Sequence, residues 1–275
     1  MATPSKRTSR RRCLVTLGIV LCLPLAYYGG HVLLRSPPAG PVQVIAHRGG
    51  PSHAPENTLI AFRTAIGQGV AWLEFDVQMT RDGALVVIHD ETVDRTTNGT
   101  GAVRDLNLAQ LRALDAGGGE LVPTLEEVLA LARAHGVGVL PETKAAHLYP
   151  GIEEKLVAAL VAADYLDQAV IQSFQAASLE RVRGLAPDAR TCALYGLWRF
   201  DVRRPPGDAQ FVCPMAEMVL LAPGMIRQAH REGRQVFVWF GMFENRFMVE
   251  AMRLFGADGL MSDDPAALVA AMARR

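Results

Sequence analysis

From residue 42 onward, short apolar runs alternate with amphipathic stretches. Short apolar runs favour buried strands, whereas apolar positions that recur at a helical period favour amphipathic helices. The pattern predicts eight strands, at Val42–Ala46, Trp72–Val77, Val137–Leu140, Ala169–Gln172, Thr191–Leu194, Gln210–Cys213, Val236–Phe240 and Gly259–Met261. Helices are predicted between them, at Thr58–Gln68, Thr124–His135, Ile152–Ala163, Ala177–Leu185, Met225–Glu232 and Arg246–Phe255. Strands that alternate with helices are typical of an α/β fold, here a parallel (β/α)8 barrel, with a doubly wound open sheet as the alternative.

One apolar run breaks this alternation. Ala84–Ile88 follows the second strand too closely for a helix, and Asp82-Gly83 between them is a strong hairpin signal. A two-residue turn there places Asp76 opposite His89, with both side chains on one face of the sheet. We therefore predict an extra hairpin that brings a carboxylate beside an imidazole.

The N-terminal region has the pattern of a membrane segment. A basic cluster that ends at Arg12 precedes Cys13–Leu34, which contains no acidic or basic side chain apart from His31. A helix of about 20 such residues crosses a bilayer, and the basic flank stays on the cytoplasmic side. We predict an anchor in residues 1–35, a Pro-rich linker in 36–41 and an extracytoplasmic barrel in 42–270. A cleaved signal peptide, which would release a secreted protein, remains the alternative.

Composition narrows the possible partners. Half of the residues are hydrophobic, which supports a large core, and the formal net charge of zero indicates no nucleic-acid partner. None of the four cysteines forms a C-x-x-C pair, so a zinc or thioredoxin-type site is not expected. Cys192 and Cys213 lie in predicted strands and are expected to be small buried hydrophobic residues.

Polar residues gather where the predicted strands end. The carboxyl ends of parallel barrel strands form one rim, and residues two apart on a strand point to the same face. We therefore expect one cluster at this rim, drawn from His47-Arg48, Glu74 and Asp76, His89-Asp90, Glu142 and Lys144, and Gln172-Ser173.

The residue types in this cluster indicate phosphodiester cleavage. Three carboxylates suit a hard divalent cation. Arginine and lysine suit a phosphate anion, and two histidines suit proton transfer near neutral pH. Buried charges also require partners, which makes a solvated cluster without function less plausible than an active site.

A series of motifs from about Val44 to Pro265 resembles the glycerophosphodiester phosphodiesterase family, in order and spacing. The motifs are Ala46-His47-Arg48-Gly49, Pro55-Glu56-Asn57-Thr58, Glu74-Phe75-Asp76-Val77-Gln78-Met79-Thr80-Arg81-Asp82-Gly83, Val87-Ile88-His89-Asp90, Pro123-Thr124-Leu125-Glu126-Glu127, Pro141-Glu142-Thr143-Lys144, Gln172-Ser173-Phe174 and Gly256-Ala257-Asp258-Gly259-Leu260-Met261-Ser262-Asp263-Asp264-Pro265. The resemblance implies a TIM-type barrel that cleaves glycerophosphodiesters to glycerol 3-phosphate and an alcohol.

The resemblance also implies roles for the rim residues. It implies that Glu74, Asp76 and Glu142 hold a divalent cation, calcium or magnesium. It implies that His47 and His89 are the general acid and base, without saying which is which. The further roles that it implies are phosphate contact for Arg48 and Lys144, pocket lining for Gln172 and Trp239, and either metal ligation or an orienting contact for Glu56.

The resemblance weakens after Trp239, where the family usually has a threonine and a polar residue. Here Phe240-Gly241-Met242-Phe243 follow. An apolar wall beside a membrane anchor would suit a lipid-like substrate such as a lysophospholipid, but packing in the core or a loop is the favoured interpretation of these residues. An inactive, membrane-anchored lipid-binding module on the same barrel is the alternative function.

Overall fold

Eight parallel strands close into a barrel. The computed structural model describes residues 26–35, 38 and 40–273. The strands, together with the hairpin strand β3, are β1 Gln43–Ala46, β2 Trp72–Met79, β3 Leu85–Val87, β4 Gly138–Thr143, β5 Val170–Ser173, β6 Arg190–Tyr195, β7 Phe211–Pro214, β8 Gln235–Trp239 and β9 Gly259–Ser262. Because β1 pairs in parallel with both β9 and β2, the sheet closes. The closed sheet confirms the (β/α)8 barrel and excludes the open sheet.

Helices surround the barrel and bury its outer face. They are α1 Leu59–Gly67, α2 Leu108–Leu111, α3 Leu125–His135, α4 Ile152–Ala162, α5 Ala176–Leu185, α6 Ala216–Leu221, α7 Gly224–Arg231, α8 Arg246–Phe255 and α9 Pro265–Ala273. The short helices α2 and α6 and the C-terminal α9 were not predicted. The start of α3 illustrates the local signals: the Thr124 side chain accepts from the Glu127 N–H, and Glu127 accepts from the Thr124 N–H.

Alternation along the strands separates a floor from a rim inside the barrel. Apolar side chains such as Ile45, Leu140 and Phe237 fill the interior, whereas Leu73 and Phe75 of β2 point outward under the helices. The polar side chains of β2 therefore point inward, above the apolar floor. This places the predicted active-site residues at the carboxyl end of the strands.

The hairpin is present, but its predicted register is wrong by one residue. Thr80 pairs with Ala84, so that Arg81, Asp82 and Gly83 form a three-residue loop in place of the two-residue turn. Gly83 has a φ of +83°, which glycine adopts without steric cost. Ile88, and not His89, consequently lies opposite Asp76, whose carbonyl accepts from the Ile88 N–H at 3.0 Å.

A segment after the hairpin forms a small apolar cluster that was not predicted. Val93, Val103, Leu111 and Val122 pack there against the buried side chain of Val86 from β3. This packing supports the chain that carries His89-Asp90 on the rim.

The described part of the predicted membrane segment contacts the barrel. Residues 26–33 are helical, Tyr28 stacks on Phe255, and Arg35 donates to the Leu254 carbonyl at 2.8 Å. Across residues 26–35, 38 and 40–273, no helix combines the length and hydropathy that a membrane crossing requires. The remainder of the predicted anchor, residues 1–25, and part of the linker lie outside the described residues.

Cys192 and Cys213 are buried, as predicted, but they form a disulfide, which was not predicted. The bond joins neighbouring strands β6 and β7 inside the barrel, with 6.2 Å between the Cα atoms and 21 positions between the residues. It therefore closes the loop that connects β6 to β7.

Removal of this disulfide is expected to destabilise the barrel. A loop of this length corresponds to about 3 kcal/mol of unfolding free energy in the chain-entropy model. The measurement is denaturant unfolding of the full chain and of the Cys192→Ala/Cys213→Ala variant. Thiol labelling of denatured, unreduced protein should modify Cys13 and Cys22 alone, and labelling of all four cysteines would contradict the assignment.

Candidate active site

Three carboxylates converge inside the barrel rim. Strand alternation turns Glu74 and Asp76 inward from β2, and the parallel register places Glu142 of β4 beside Asp76. One oxygen of each carboxylate lies within 4.8 Å of the others. No more than 6% of any of these residues is exposed. This cluster was predicted from the sequence, and the structure brings all three members together.

The three carboxyl groups differ in pKa. Burial raises the pKa of Glu142 to about 7, and the charges of Asp76 and Glu74 add to this effect against the opposing charge of Lys144. Burial and the Asp76 charge also raise the pKa of Glu74. Burial alone would raise the pKa of Asp76, but Lys144 and Arg48 outweigh it and lower that pKa to about 2.

Two cationic side chains contact the carboxylate cluster. Lys144 Nζ lies 2.9 Å from Glu142 Oε1 and 3.3 Å from Asp76 Oδ1. Arg48 Nε lies 3.5 Å from Asp76 Oδ2. Both residues predicted to contact phosphate therefore lie at the site, close enough to meet an anion bound beside the carboxylates.

The donor set fits a hard divalent cation. Buried carboxylates of raised pKa lack full charge compensation, and oxygen ligands are those that calcium and magnesium prefer. Gln172 Nε2 donates to Glu74 Oε1 at 2.9 Å, while the buried Gln172 Oε1 has no hydrogen-bond partner among the described residues. This unpaired buried oxygen, which lies beside the three carboxylates, can contact a bound cation or one of the cation's other ligands.

Metal affinity is expected to depend on pH through Glu142. Because its pKa is about 7, the carboxyl is protonated below that pH, and a cation must displace the proton. Affinity should be highest above pH 7 and should fall by up to tenfold per pH unit below it. Calorimetric titration at several pH values measures this, and Glu142→Gln, in which Glu74 still titrates, is the control and should give a shallower profile. An equally shallow profile in the unchanged protein would contradict the prediction.

The first histidine follows β1 and is oriented by a carboxylate. His47 Nδ1 lies 2.6 Å from Asp263 Oδ1, and its Nε2 lies 4.0 Å from Glu74 Oε2. Burial alone would lower the pKa of His47, but Glu74 and Asp263 outweigh it and raise that pKa. The Glu244 carboxylate accepts from the Asp263 N–H at 2.8 Å and from the Ser262 hydroxyl, which supports the orienting residue.

The turn after His47 has an unusual backbone. Arg48 has a φ of +49°, and its N–H donates to Glu74 Oε2 at 2.8 Å. Gly49 follows at a φ of +82°, where a Cβ would lie 2.8 Å from that of Ala61. A positive φ is costly for a residue other than glycine, such as Arg48. The hydrogen bond from the Arg48 N–H to Glu74 holds this turn in place.

The second histidine has a matching arrangement. His89 Nδ1 lies 2.6 Å from Asp90 Oδ1. Arg95 donates to both oxygens of Asp90, at 3.0 and 2.7 Å, and to both oxygens of Glu56, at 2.7 and 2.8 Å. Burial lowers the pKa of His89, and the charges of Lys144 and Arg48 contribute to the lowering.

Glu56 contacts two arginines at the edge of the site. Besides Arg95, it accepts from Arg48 Nη1 at 3.3 Å. Burial alone would raise the pKa of Glu56, but these arginines outweigh it and lower that pKa. These contacts place Glu56 where it can orient Arg48 and Arg95, outside the group of three carboxylates.

The apolar segment after Trp239 divides between core and surface. Trp239 Nε1 donates to the Cys213 carbonyl at 3.1 Å, and its ring meets Phe174 edge-on with 5.8 Å between centroids. Phe240 is buried, whereas Met242 and Phe243 are exposed. Core packing therefore accounts for only the first of these apolar residues.

Several residues that complete the site were not predicted. Asn57 Nδ2 donates to Asp76 Oδ2 at 2.9 Å, and Gln78 Nε2 donates to the His89 carbonyl at 2.9 Å. Asn57 and Gln78 lie within motifs that carry the family resemblance, so position in a motif was an available signal. Arg95 and Glu244 lie outside these motifs, and two of their partners are distant in sequence: Glu56 lies 39 positions from Arg95, and Ser262 lies 18 positions from Glu244.

Comparison with known proteins agrees with this geometry. Residues 47–267 match the glycerophosphoryl diester phosphodiesterase family model. A glycerophosphodiester phosphodiesterase of Caldanaerobacter subterraneus subsp. tengcongensis is 38% identical over 239 residues, which are 82% of this chain and 96% of that protein. A putative glycerophosphodiester phosphodiesterase of Bacillus subtilis is 37% identical over 81% of this chain and 94% of its own length.

Solved structures show the same barrel. An Oleispira antarctica phosphodiesterase in complex with its product sn-glycerol-3-phosphate superposes with a TM-score of 0.74 at 27% identity, covering 84% of this chain and 97% of that one. A glycerophosphodiester phosphodiesterase of Agrobacterium tumefaciens gives 0.73 at 29% identity, covering 83% and 99%. On the family match, the relatives and the convergent carboxylates, the chain belongs to the glycerophosphoryl diester phosphodiesterase family and is a glycerophosphodiester phosphodiesterase.

Proposed function

We propose that this enzyme releases glycerol 3-phosphate from glycerophosphodiesters with a calcium or magnesium ion held by Glu74, Asp76 and Glu142. His47 and His89 are the proton-transfer pair of this reaction. The observation that carries the proposal is that two histidine–aspartate pairs lie beside one buried carboxylate cluster. A bound cation supplies charge neutralisation for the phosphate oxygens.

The side chains of the site suit the two proton transfers that phosphodiester hydrolysis needs. One histidine accepts the proton of the attacking oxygen as a new P–O bond forms. This oxygen belongs to water, which gives glycerol 3-phosphate directly, or to the substrate glycerol, in which case water then opens the resulting cyclic phosphate to glycerol 3-phosphate. The other histidine donates a proton to the alcohol oxygen as its P–O bond breaks. The opposite pKa shifts of His47 and His89 suit one proton donor and one acceptor near neutral pH. Arg48 and Lys144 hold the phosphate, since their charges face the cluster.

A lysophospholipid is a second candidate substrate, favoured by one contact. The exposed ring of Phe174 has its centroid 5.9 Å from Lys144 Nζ, so an apolar surface begins next to the proposed phosphate position. A substrate with an acyl chain on its glycerol has an apolar surface available there, whereas a water-soluble glycerophosphodiester does not need it.

We place the barrel outside the cytoplasm, attached to a membrane by the N-terminal segment. Two observations support this location. The basic cluster before Cys13–Leu34 favours retention of the N-terminus in the cytoplasm. The buried disulfide between β6 and β7 is typical of an oxidising compartment.

The experiment is a release assay for glycerol 3-phosphate with the purified full chain. The substrates are glycerophosphocholine, glycerophosphoethanolamine and lysophosphatidylcholine, each with calcium, with magnesium and with chelator. We expect cation-dependent release from the first two, and choline release from lysophosphatidylcholine would add the second class. Lipid binding without turnover of any substrate would instead support the inactive lipid-binding module.

A further inference from the structure

Exposed apolar side chains gather on the part of the rim opposite the charged cluster. Trp198 after β6 is 73% exposed, and Met242 and Phe243 after β8 are 67% and 58% exposed. Leu197 and Phe247 beside them are also exposed. Single exposed apolar residues are normal, but a contiguous group marks an interaction surface. These five residues are called the apolar rim below.

Two loops carry most of the apolar rim: the first loop, Leu197–Arg204 after β6, and a second loop after β8 that contains Met242 and Phe243. The short helix α6 holds both loops. The Glu217 carboxylate of α6 accepts from the Met242 N–H at 2.7 Å and the Phe243 N–H at 3.0 Å. The next residue, Met218, has its sulfur 3.1 Å from the backbone nitrogen of Trp198. Because adjacent residues of α6 hold the two loops, their tips belong to one surface.

The conformation of Trp198 is maintained at an energetic cost. Its φ is +60°, a region that bulky residues rarely adopt. A tryptophan that is nevertheless presented to the exterior indicates a use for the exposed ring.

The apolar rim continues into the catalytic site. A Cβ built on Gly196, next to Leu197, would lie 3.6 Å from the Phe174 ring. The centroid of the same ring lies 5.9 Å from Lys144 Nζ. A surface that covers the apolar rim therefore lies next to the mouth of the active site.

The charge of the first loop favours an anionic surface. Leu197–Arg204 contains three arginines and one acidic residue, Asp201, which pairs with Arg203 at 2.7 Å. Aromatic side chains interspersed with arginine suit the interface of a bilayer that contains anionic lipid.

The first described helix of the chain packs beside the first loop. The Tyr27 hydroxyl donates to the Leu221 carbonyl at 3.2 Å, and Tyr27 lines one shallow cavity with Phe200 of the first loop. At the other end of this helix, Arg35 contacts Leu254, near the end of α8. The uncharged residues 13–25, which precede this helix in the sequence, lie outside the described residues.

We propose that the apolar rim inserts into the surface of an anionic lipid bilayer, so that the mouth of the active site faces the membrane. This contact belongs to the barrel itself and adds to the proposed N-terminal anchor. The proposal uses the anchor at one point only, the position of Tyr27 beside the first loop. A lipid bilayer is the occupant because arginine and aromatic residues are interspersed on the first loop, and because the helix that packs beside this loop at Tyr27 follows an uncharged segment in the sequence.

The experiment measures tryptophan quenching in the full chain. The protein is placed in vesicles of equal parts phosphatidylcholine and phosphatidylglycerol whose acyl chains carry bromine, which quenches tryptophan on contact. Trp72 and Trp239 lie partly buried in the barrel interior. The emission of Trp198 is the difference between the unchanged protein and Trp198→Phe. We expect the brominated lipid to quench more than half of this difference and to leave the emission of Trp72 and Trp239 unchanged. Equal fractional quenching in the two proteins would overturn the proposal.

Matched variants separate insertion from folding and from catalysis. Met242→Ser/Phe243→Ser should reduce Trp198 quenching at least twofold, without a change in turnover of soluble glycerophosphocholine. Val161→Ser replaces a residue of equal exposure, 58%, near the end of α4 and away from the rim, and should leave quenching unchanged. Protection of Trp198 from acrylamide without vesicles, together with a dimer by light scattering, would identify a second copy as the occupant and overturn the proposal.

Discussion

Removal of divalent cations is expected to abolish glycerophosphodiester turnover, with recovery when calcium or magnesium is returned. Glu74, Asp76 and Glu142 concentrate negative charge where an anionic phosphate must bind. Without a cation, this charge repels the substrate, and a metal ion typically stabilises a phosphoryl transition state by several kcal/mol. A loss of at least about 10³-fold is therefore expected. The measurement is kcat after chelation and dialysis, then after titration with each cation.

Substitution provides an independent test of the same site. Asp76→Asn should reduce metal affinity and turnover together, because this carboxylate holds its charge most strongly. Glu126→Gln on the exposed face of α3 is the matched control and should change neither. Full activity in thoroughly demetallated protein would remove the cation from the mechanism.

Replacement of either histidine by alanine is expected to lower kcat by roughly 10²–10⁴-fold, the usual contribution of a positioned acid or base. His47 and His89 each bond to an aspartate through Nδ1, which directs Nε2 away from that aspartate. Metal affinity should change little, since neither histidine belongs to the carboxylate cluster. The measurements are kcat at saturating metal and calorimetric metal binding for His47→Ala and His89→Ala.

The orienting aspartates extend this prediction. Asp263→Asn and Asp90→Asn should lower kcat less than loss of the imidazole, because the histidine remains but its tautomer and orientation are no longer held. His135→Ala at the exposed end of α3 is the control and should be neutral. Near-normal kcat in both histidine variants at saturating metal would refute the acid–base assignment, while the barrel and the substrate class would stand.

Local sequence was sufficient for the alternation of strands and helices and for the charged cluster, whereas the pairing of β1 with β9 decided that the sheet closes into a barrel. Apolar runs such as Trp72–Val77 marked buried strands because burial on both faces demands hydrophobic residues. The two-residue period then placed Glu74 and Asp76 on one face, and parallel strands ending at one rim brought Glu142 to them. These relations follow from strand geometry, which every residue of a strand repeats.

The register of the hairpin could not be predicted from local sequence. Asp82-Gly83 indicates a turn, but both two-residue and three-residue loops accept a glycine of positive φ at that position. A two-residue turn would place His89 opposite Asp76, whereas the three-residue loop places Ile88 there. His89 reaches the site because it follows β3 and is fixed by Asp90 and Gln78.

The sequence by itself determined the alternation of strands and helices, the inward-facing carboxylates and the residue types of the chemistry. Only the tertiary structure decided which distant residues support them: Asp263 for His47, Arg95 for Glu56, and Cys213 as the disulfide partner of Cys192. The physical reason is the range of the interactions. Strand period and burial act between neighbours along the chain, whereas these pairs form only when closure of the barrel brings separate loops and strands within bonding distance.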